Sequence, residues 1–181
     1  NTLITDAGDL QSAGSKVLEI DPWGRIVRRY TGNLRFAHSA KRLANGNTLI
    51  ADTNNNRVIE VTPEGTIAFT TDEWSAGSGL LSDRSHLHYP NDAHLLDDGT
   101  LLITDRNNDR CVIATRGGHA VWEYSDGISH PHNCDPLANG HVLIADSDGR
   151  AVLEVNRAKR VVWSYGAGRP ELLAWPRDAD R

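Results

Sequence analysis

The stretch Ala44-Asn45-Gly46-Asn47-Thr48-Leu49-Ile50-Ala51-Asp52 recurs as Asp97-Asp98-Gly99-Thr100-Leu101-Leu102-Ile103-Thr104-Asp105, and again as Ala138-Asn139-Gly140-His141-Val142-Leu143-Ile144-Ala145-Asp146. The chain also opens on it, over Asn1 to Asp6. The closing aspartates Asp6, Asp52, Asp105 and Asp146 stand 46, 53 and 41 residues apart. That is the period of a propeller blade rather than of a leucine-rich or tetratricopeptide unit.

Outward from this repeat, every signal is strand or hairpin. A strand around His132 to Leu137 runs into Asn139-Gly140, a dipeptide whose left-handed φ preference suits a tight hairpin. Strands follow over Val142 to Ala145, Ala151 to Val155 and Val161 to Tyr165, separated by the polar loop Asp146 to Gly149 and a turn at Asn156 to Lys159. Asp21-Pro22-Trp23-Gly24 and Thr62-Pro63-Glu64-Gly65 repeat the turn chemistry. No apolar stripe of helical period is present. The fold expected is therefore all-β: a β-propeller of four-stranded antiparallel blades, about four in this chain, forming one domain over residues 1–181. Its repeats cover about 1–35, 36–88, 89–129 and 130–174. Residues 175–181 match the first strand of a further blade, or of a closing one if they pair with Asn1 to Asp6. A four-bladed ring and part of a larger propeller both fit, and in the second case the end strands could recruit another copy by strand addition.

Composition narrows the function classes. Lys+Arg number 19 against Asp+Glu 24, for a net charge of -5, and no basic run occurs, so nucleic acid is not an expected partner. No stretch approaches 18 consecutive apolar residues, so no membrane-spanning helix is expected. Arg outnumbers Lys 16 to 3, which suits bidentate contacts to carboxylates or sulfates and also surface ion pairs. The two cysteines, Cys111 and Cys134, lie 23 residues apart without a CxxC pair. Aligned with Val17, Val58 and Val152 and with Ala40, Ala93 and Ala179, they read as buried small hydrophobes.

Aligning the repeats places His38, Asn91, His132 and Arg177 in one column at the start of the innermost strand, with Ser39, Asp92, Asn133 and Asp178 beside them. These residues should ring the channel mouth. The long connection from Thr71 to His88 is expected on the same face with Trp74, Arg84, His86 and His88, so that with His130 five histidines gather on one side. Imidazoles there can serve as bases, nucleophiles, metal ligands or donors to an anion, or simply line a wet channel. No cofactor is expected. The alternation His86-Leu87-His88 and His130-Pro131-His132 offers a weak metal-chelating pattern, with no carboxylate or thiolate completing either set. The loops after Asp52 and Asp105 fail the calcium-loop pattern, having Arg57 in place of the required Gly, and read as structural Asx turns.

Two family resemblances rest on these residues. Pro90-Asn91-Asp92-Ala93, Asp98-Gly99 and Leu102-Ile103-Thr104-Asp105-Arg106-Asn107-Asn108-Asp109-Arg110-Cys111-Val112 resemble the NHL-type propeller repeat. His132-Asn133-Cys134-Asp135-Pro136-Leu137-Ala138-Asn139-Gly140, Trp175 to Arg181 and the strand endings Val121-Trp122-Glu123-Tyr124 and Val162-Trp163-Ser164-Tyr165 are similar to arylsulfotransferase-like propellers. The second resemblance implies an extracellular or periplasmic setting. It also implies sulfuryl transfer to a channel histidine, His132 or His38, with Arg177 and Asn91 holding the oxygens. The function expected first is a scaffold binding a small anionic ligand or a protein partner at the channel mouth. The alternative is a transferase of this kind or a metal-assisted lyase.

Overall fold

The computed structural model describes residues 1–181 except Ser78 and Arg84, and of Ala76 only the backbone. Among the described residues, fifteen strands form four antiparallel sheets in chain order. Blade I holds β1 (Thr2–Asp6), β2 (Lys16–Ile20) and β3 (Ile26–Tyr30); blade II holds β4 (Ala37–Arg42), β5 (Thr48–Asp52), β6 (Arg57–Val61) and β7 (Ile67–Thr70). Blade III holds β8 (Pro90–Leu95), β9 (Leu101–Asp105), β10 (Arg110–Ala114) and β11 (Ala120–Tyr124). Blade IV holds β12 (Pro131–Pro136), β13 (Val142–Asp146), β14 (Ala151–Val155) and β15 (Val161–Tyr165). Each sheet is a meander, and β1, β4, β8 and β12 pack side by side in that order. The expected propeller of four-stranded blades is the observed one, with one difference. Residues 175–181 form no strand, and β1 pairs only with β2, so blade I has three strands.

Strand alternation explains the packing. Ile50, Ile103 and Ile144 share one column and one face, and all are fully buried. On the opposite face Val58 and Leu49 meet Ile103, Leu101 and Val112 of the next blade, while Cys111, Ile113, Trp122 and Tyr124 meet Val142, Ile144 and Leu153. Each interface is thus the outgoing face of one blade on the incoming face of the next. Truncating any one of these isoleucines to Ala costs about 2–5 kcal/mol.

One aromatic and two sulfur positions differ from expectation. Cys111 and Cys134 are joined by a disulfide with their Cα atoms 6.2 Å apart, stapling blade III to blade IV. Their columns face each other across the blade interface, a relation that alignment to Val and Ala positions does not reveal. Trp74, on a four-residue helix α1 (Trp74–Gly77), is 1% exposed in the core between blades II and III. Its indole Nε1 donates to the carbonyl of Arg116 at 3.0 Å, as Trp122 Nε1 does to Arg157 at 3.1 Å one blade on. Gly118, at φ +82°, makes room: a Cβ there would lie 2.7 Å from Trp74 Cγ.

Candidate functional site

The inner strands share a local irregularity. Register shifts occur between Ala37 and Ser39, between Pro90 and Asp92, and between Pro131 and Asn133, so His38, Asn91 and His132 are each the extra residue of a β-bulge. A bulge re-aims its side chain out of the regular alternation. The residues just before these strands, Phe36, Tyr89 and His130, sit in the left-handed region at φ 56°, 58° and 48°. For bulky side chains that conformation costs about 1–3 kcal/mol each and persists only when neighbours hold it. The neighbours are identifiable. The amides of Arg35, His88 and Ser129 donate to Oδ1 of Asp52, Asp105 and Asp146 at 2.8, 2.7 and 2.8 Å. The Tyr89 and His130 amides donate to Asn56 and Asp109 of the preceding blade at 2.9 and 2.7 Å. The repeat-closing aspartates therefore brace the loops, and Asp52 and Asp105 also pair with Arg57 and Arg110 at 2.8 and 2.7 Å.

His38 and His132 meet edge to face, ring centroids 4.8 Å apart, on a cavity of about 240 Å³ that Ser39, Lys41, Asp92, Asn133, Arg177 and Asp178 complete. Burial pushes the His38 imidazole below its ordinary value, with the Arg106 and Arg177 charges adding to the effect. His132 is pushed down to about 4, by burial first and then by His38 and Arg177. Both rings are neutral at pH 7. Each also has a hydrogen bond to the backbone of the adjoining inner segment, His38 to Asn91 and His132 to Arg177.

Deeper along the same strands lies a second, ionic layer. Lys41 of blade II pairs with Asp92 of blade III. His94 Nε2 stands 2.8 Å from Asp92 and 2.8 Å from Asp135 of blade IV. Asn133 Nδ2 donates to Asp135 at 2.8 Å and to Asp178 at 2.5 Å. Burial alone would raise the Asp92 carboxyl, but His94 and Lys41 outweigh it and hold it well below the usual carboxylate range. Burial would lower His94, and its hydrogen bonds to Asp135 and Asp92 reverse the sign and raise it. Asp92, His94 and Asp135 bring their ligand atoms within 4.8 Å of one another, the one such group among the described residues. A divalent ion there would displace the His94 proton and share Asp92 with the Lys41 ammonium.

The column read from sequence is thus only partly assembled. His38, His132, Arg177, Asp92, Asn133 and Asp178 line the cavity. Asn91 is buried outside it, its Oδ1 without a hydrogen-bond partner among the described residues. His130 is engaged by Asp148 at 3.0 Å. His86 lies in a separate exposed depression with Asn55, Asn56 and Asp72. His88 is exposed and meets Asp105 only through its amide. Neither His86/His88 nor His130/His132 belongs to a converging ligand group, Trp74 is core, and Arg84 lies outside the described residues. Sequence reasoning passed over Phe36, Tyr89 and His94. Phe36 lies 6.0 Å from His38 and 6.2 Å from Tyr89, whose ring carries the Arg106 guanidinium at 5.8 Å. Their signal was positional: both immediately precede the inner strand, in the column of His130 and Trp175.

No protein-family profile matches the sequence, and no curated protein does. Solved structures do. The chain is similar to virginiamycin B lyase from Staphylococcus aureus (TM-score 0.60, 18% identity, 83% of this chain and 48% of that one). It is also similar to a streptogramin B lyase (0.64, 16%, 92% and 54%) and to the WD40 β-propeller domain of Doa1 (0.65, 14%, 86% and 48%). At these identities the likeness establishes the β-propeller fold alone, and the chain spans about half the length of each of these structures.

Proposed function

We propose that this propeller scaffold binds a small anionic ligand at the channel mouth, held by Arg177 and Arg106 with neutral His38 and His132 as hydrogen-bonding partners. The observation carrying this reading is the neutral imidazole pair in the field of two guanidinium groups that, among the described residues, form no ion pair. A sulfate or carboxylate would supply the missing negative charge, and Arg is suited to hold it with two donors. The cavity of about 240 Å³ favours a small ligand over a protein side chain carried on a bulky loop. Calorimetric titration with sulfate and with acetate tests this. Saturable binding is expected that weakens about tenfold in Arg177→Gln, the loss of one charge-assisted contact, and that for sulfate, which keeps its charge, strengthens as the pH falls toward 4. Absence of saturation, or equal affinity in the variant, overturns it.

A second reading is favoured by one feature. The His132 ring is neutral with one nitrogen engaged by backbone, leaving the other to act as base or nucleophile. In the arylsulfotransferase-like form, that nitrogen would bond the sulfur as the aryl oxide leaves, with Arg177 on the sulfuryl oxygens. In the lyase form, it would remove a proton, and two of the similar solved structures are named as lyases. Aryl-sulfate turnover that disappears in His132→Ala would establish the former. The Cys111–Cys134 bridge fits an oxidising compartment, the setting implied by the arylsulfotransferase-like resemblance.

A further inference from the structure

The closing aspartate of each repeat faces one fixed position of the following strand. The registers set Asp6 opposite Lys16, Asp52 opposite Arg57, Asp105 opposite Arg110 and Asp146 opposite Ala151. In blades I, II and III the facing residue is a cation that pairs with the carboxylate: Lys16 with Asp6, and the Nε of Arg57 and Arg110 with Oδ2 of Asp52 and Asp105 at 2.8 and 2.7 Å. In blades II and III a second donor reaches the same oxygen, Nδ2 of Asn55 and of Asn108, each at 2.8 Å. Blade IV has neither. Its loop Asp146-Ser147-Asp148-Gly149-Arg150-Ala151 carries Gly149 in the column of the two asparagines and Ala151 in the column of the two arginines.

Asp146 is nonetheless as deeply buried as Asp52 and Asp105, at 1% exposed. Its Oδ1 accepts from the amides of Ser129 and Gly149 at 2.8 and 3.3 Å, whereas Oδ2 has no hydrogen bond or ion pair among the described residues. That oxygen points at Gly149, where a Cβ would lie 1.8 Å from it. A buried carboxylate without a donor for one oxygen is costly. The surrounding charge deepens the deficit. Burial raises the Asp146 carboxyl, the two amides oppose that, and the charges of Asp148 and of Asp109 on blade III raise it further. These two side chains are 49% exposed, and His130 Nδ1 stands 3.0 Å from Asp148 and 3.6 Å from Asp109.

We propose that this slot of blade IV binds a guanidinium group supplied by another molecule, which takes on Asp146 Oδ2 the place that Arg57 and Arg110 hold on Asp52 and Asp105. The sister sites show the rest of the arrangement. The terminal nitrogen of Arg57 also meets Asp72 at 3.1 Å and that of Arg110 meets Asp83 at 2.9 Å, half-exposed carboxylates whose part Asp148 and Asp109 play in blade IV. A guanidinium suits this better than an ammonium, because its planar fork reaches an inner and an outer carboxylate at once. It also suits it better than a metal ion, since Asp109, Asp146 and Asp148 form no converging ligand group among the described residues. The group could be carried by a free guanidino compound or by an arginine side chain of a partner protein. The slot lies outside the cavity of His38 and His132, and the inference is independent of the anion reading.

The test titrates methylguanidinium chloride, methylammonium chloride and the peptide acetyl-Gly-Arg-Gly-amide into the 181-residue chain at constant ionic strength, following the backbone amide signals of Ser129 and Gly149 by NMR. Saturable shifts are expected with methylguanidinium and with the peptide, about tenfold tighter than with methylammonium. Tighter binding of the peptide assigns the slot to a partner's arginine, and equal or weaker binding of the peptide to a free guanidine. Ala151→Arg fills the slot from within, as in blades II and III, and should weaken both probes about tenfold or more while leaving the circular dichroism unchanged. Asp148→Asn, at a half-exposed position, should weaken them about threefold. Absence of a saturable shift, methylammonium binding as tightly as methylguanidinium, or unchanged affinity in either variant would each overturn the proposal.

Discussion

His94 and His132 stand on neighbouring inner strands of one channel, both withdrawn from water, and their proton affinities are shifted in opposite directions. His94 faces two carboxylates from adjacent blades, and its imidazolium is favoured. His132 faces another imidazole and Arg177, and its neutral ring is favoured. Burial pulls both downward, so the difference lies entirely in the partners that blade-to-blade packing supplies. The deeper layer is a closed ionic clasp and the upper layer an incomplete one, which is why the upper layer is the candidate site.

The strongest way to break this contrast is Asp92→Ala. Removing the buried carboxylate leaves Lys41 and His94 without their shared partner, and a loss of about 3–5 kcal/mol in chemical denaturation is expected. The ring protons of His94 should then titrate at lower pH in NMR. Next in size is the staple between blades III and IV. Cys134→Ser should lower unfolding free energy by about 3 kcal/mol, as expected for a bridge closing a loop of this size, while leaving the two histidine titrations in the same order. If that order inverted, the contrast would depend on the staple rather than on local partners.

Titration sharpens the comparison without mutation. His94 holds its proton more tightly folded than unfolded, so its stabilisation is full below about pH 6.5, the unfolded value, and is lost as pH rises through the raised folded value. His132 works in the other sense. Its folded value of about 4 lies below the unfolded 6.5, so stability falls as the pH drops between those values and the unfolded chain takes up the proton. Thermal melts of His94→Gln and His132→Gln should flatten the alkaline and acidic limbs respectively. The smallest effect is expected at His141, which pairs with Glu154 at 2.7 Å near the surface. His141→Ala should cost less than about 1 kcal/mol in the same denaturation assay.

The column of the site was legible because a repeat fixes which residues are equivalent. Alignment placed His38, His132 and Arg177 together, and the structure brings them to one cavity. Asn91 shares that column but its side chain is buried outside the cavity, and His86 and His88 close a connection longer than its counterparts in the other repeats, and neither lines that cavity. His94 escaped notice because its column holds Lys41, Asp135 and Asp180, so nothing repeats at it. Its meaning arises only when β8 and β12 bring Asp92 and Asp135 to the same nitrogen.

By itself the sequence determined the all-β class, the blade period and the four-stranded meander of the repeat. Each of these is set by local turn chemistry and a two-residue side-chain period. Tertiary structure alone decided the disulfide between Cys111 and Cys134, the burial of Trp74 and the opposite protonation of His94 and His132. All of these depend on which blade faces which, and that contact is made between residues far apart in the chain, where no periodicity within a blade can report it.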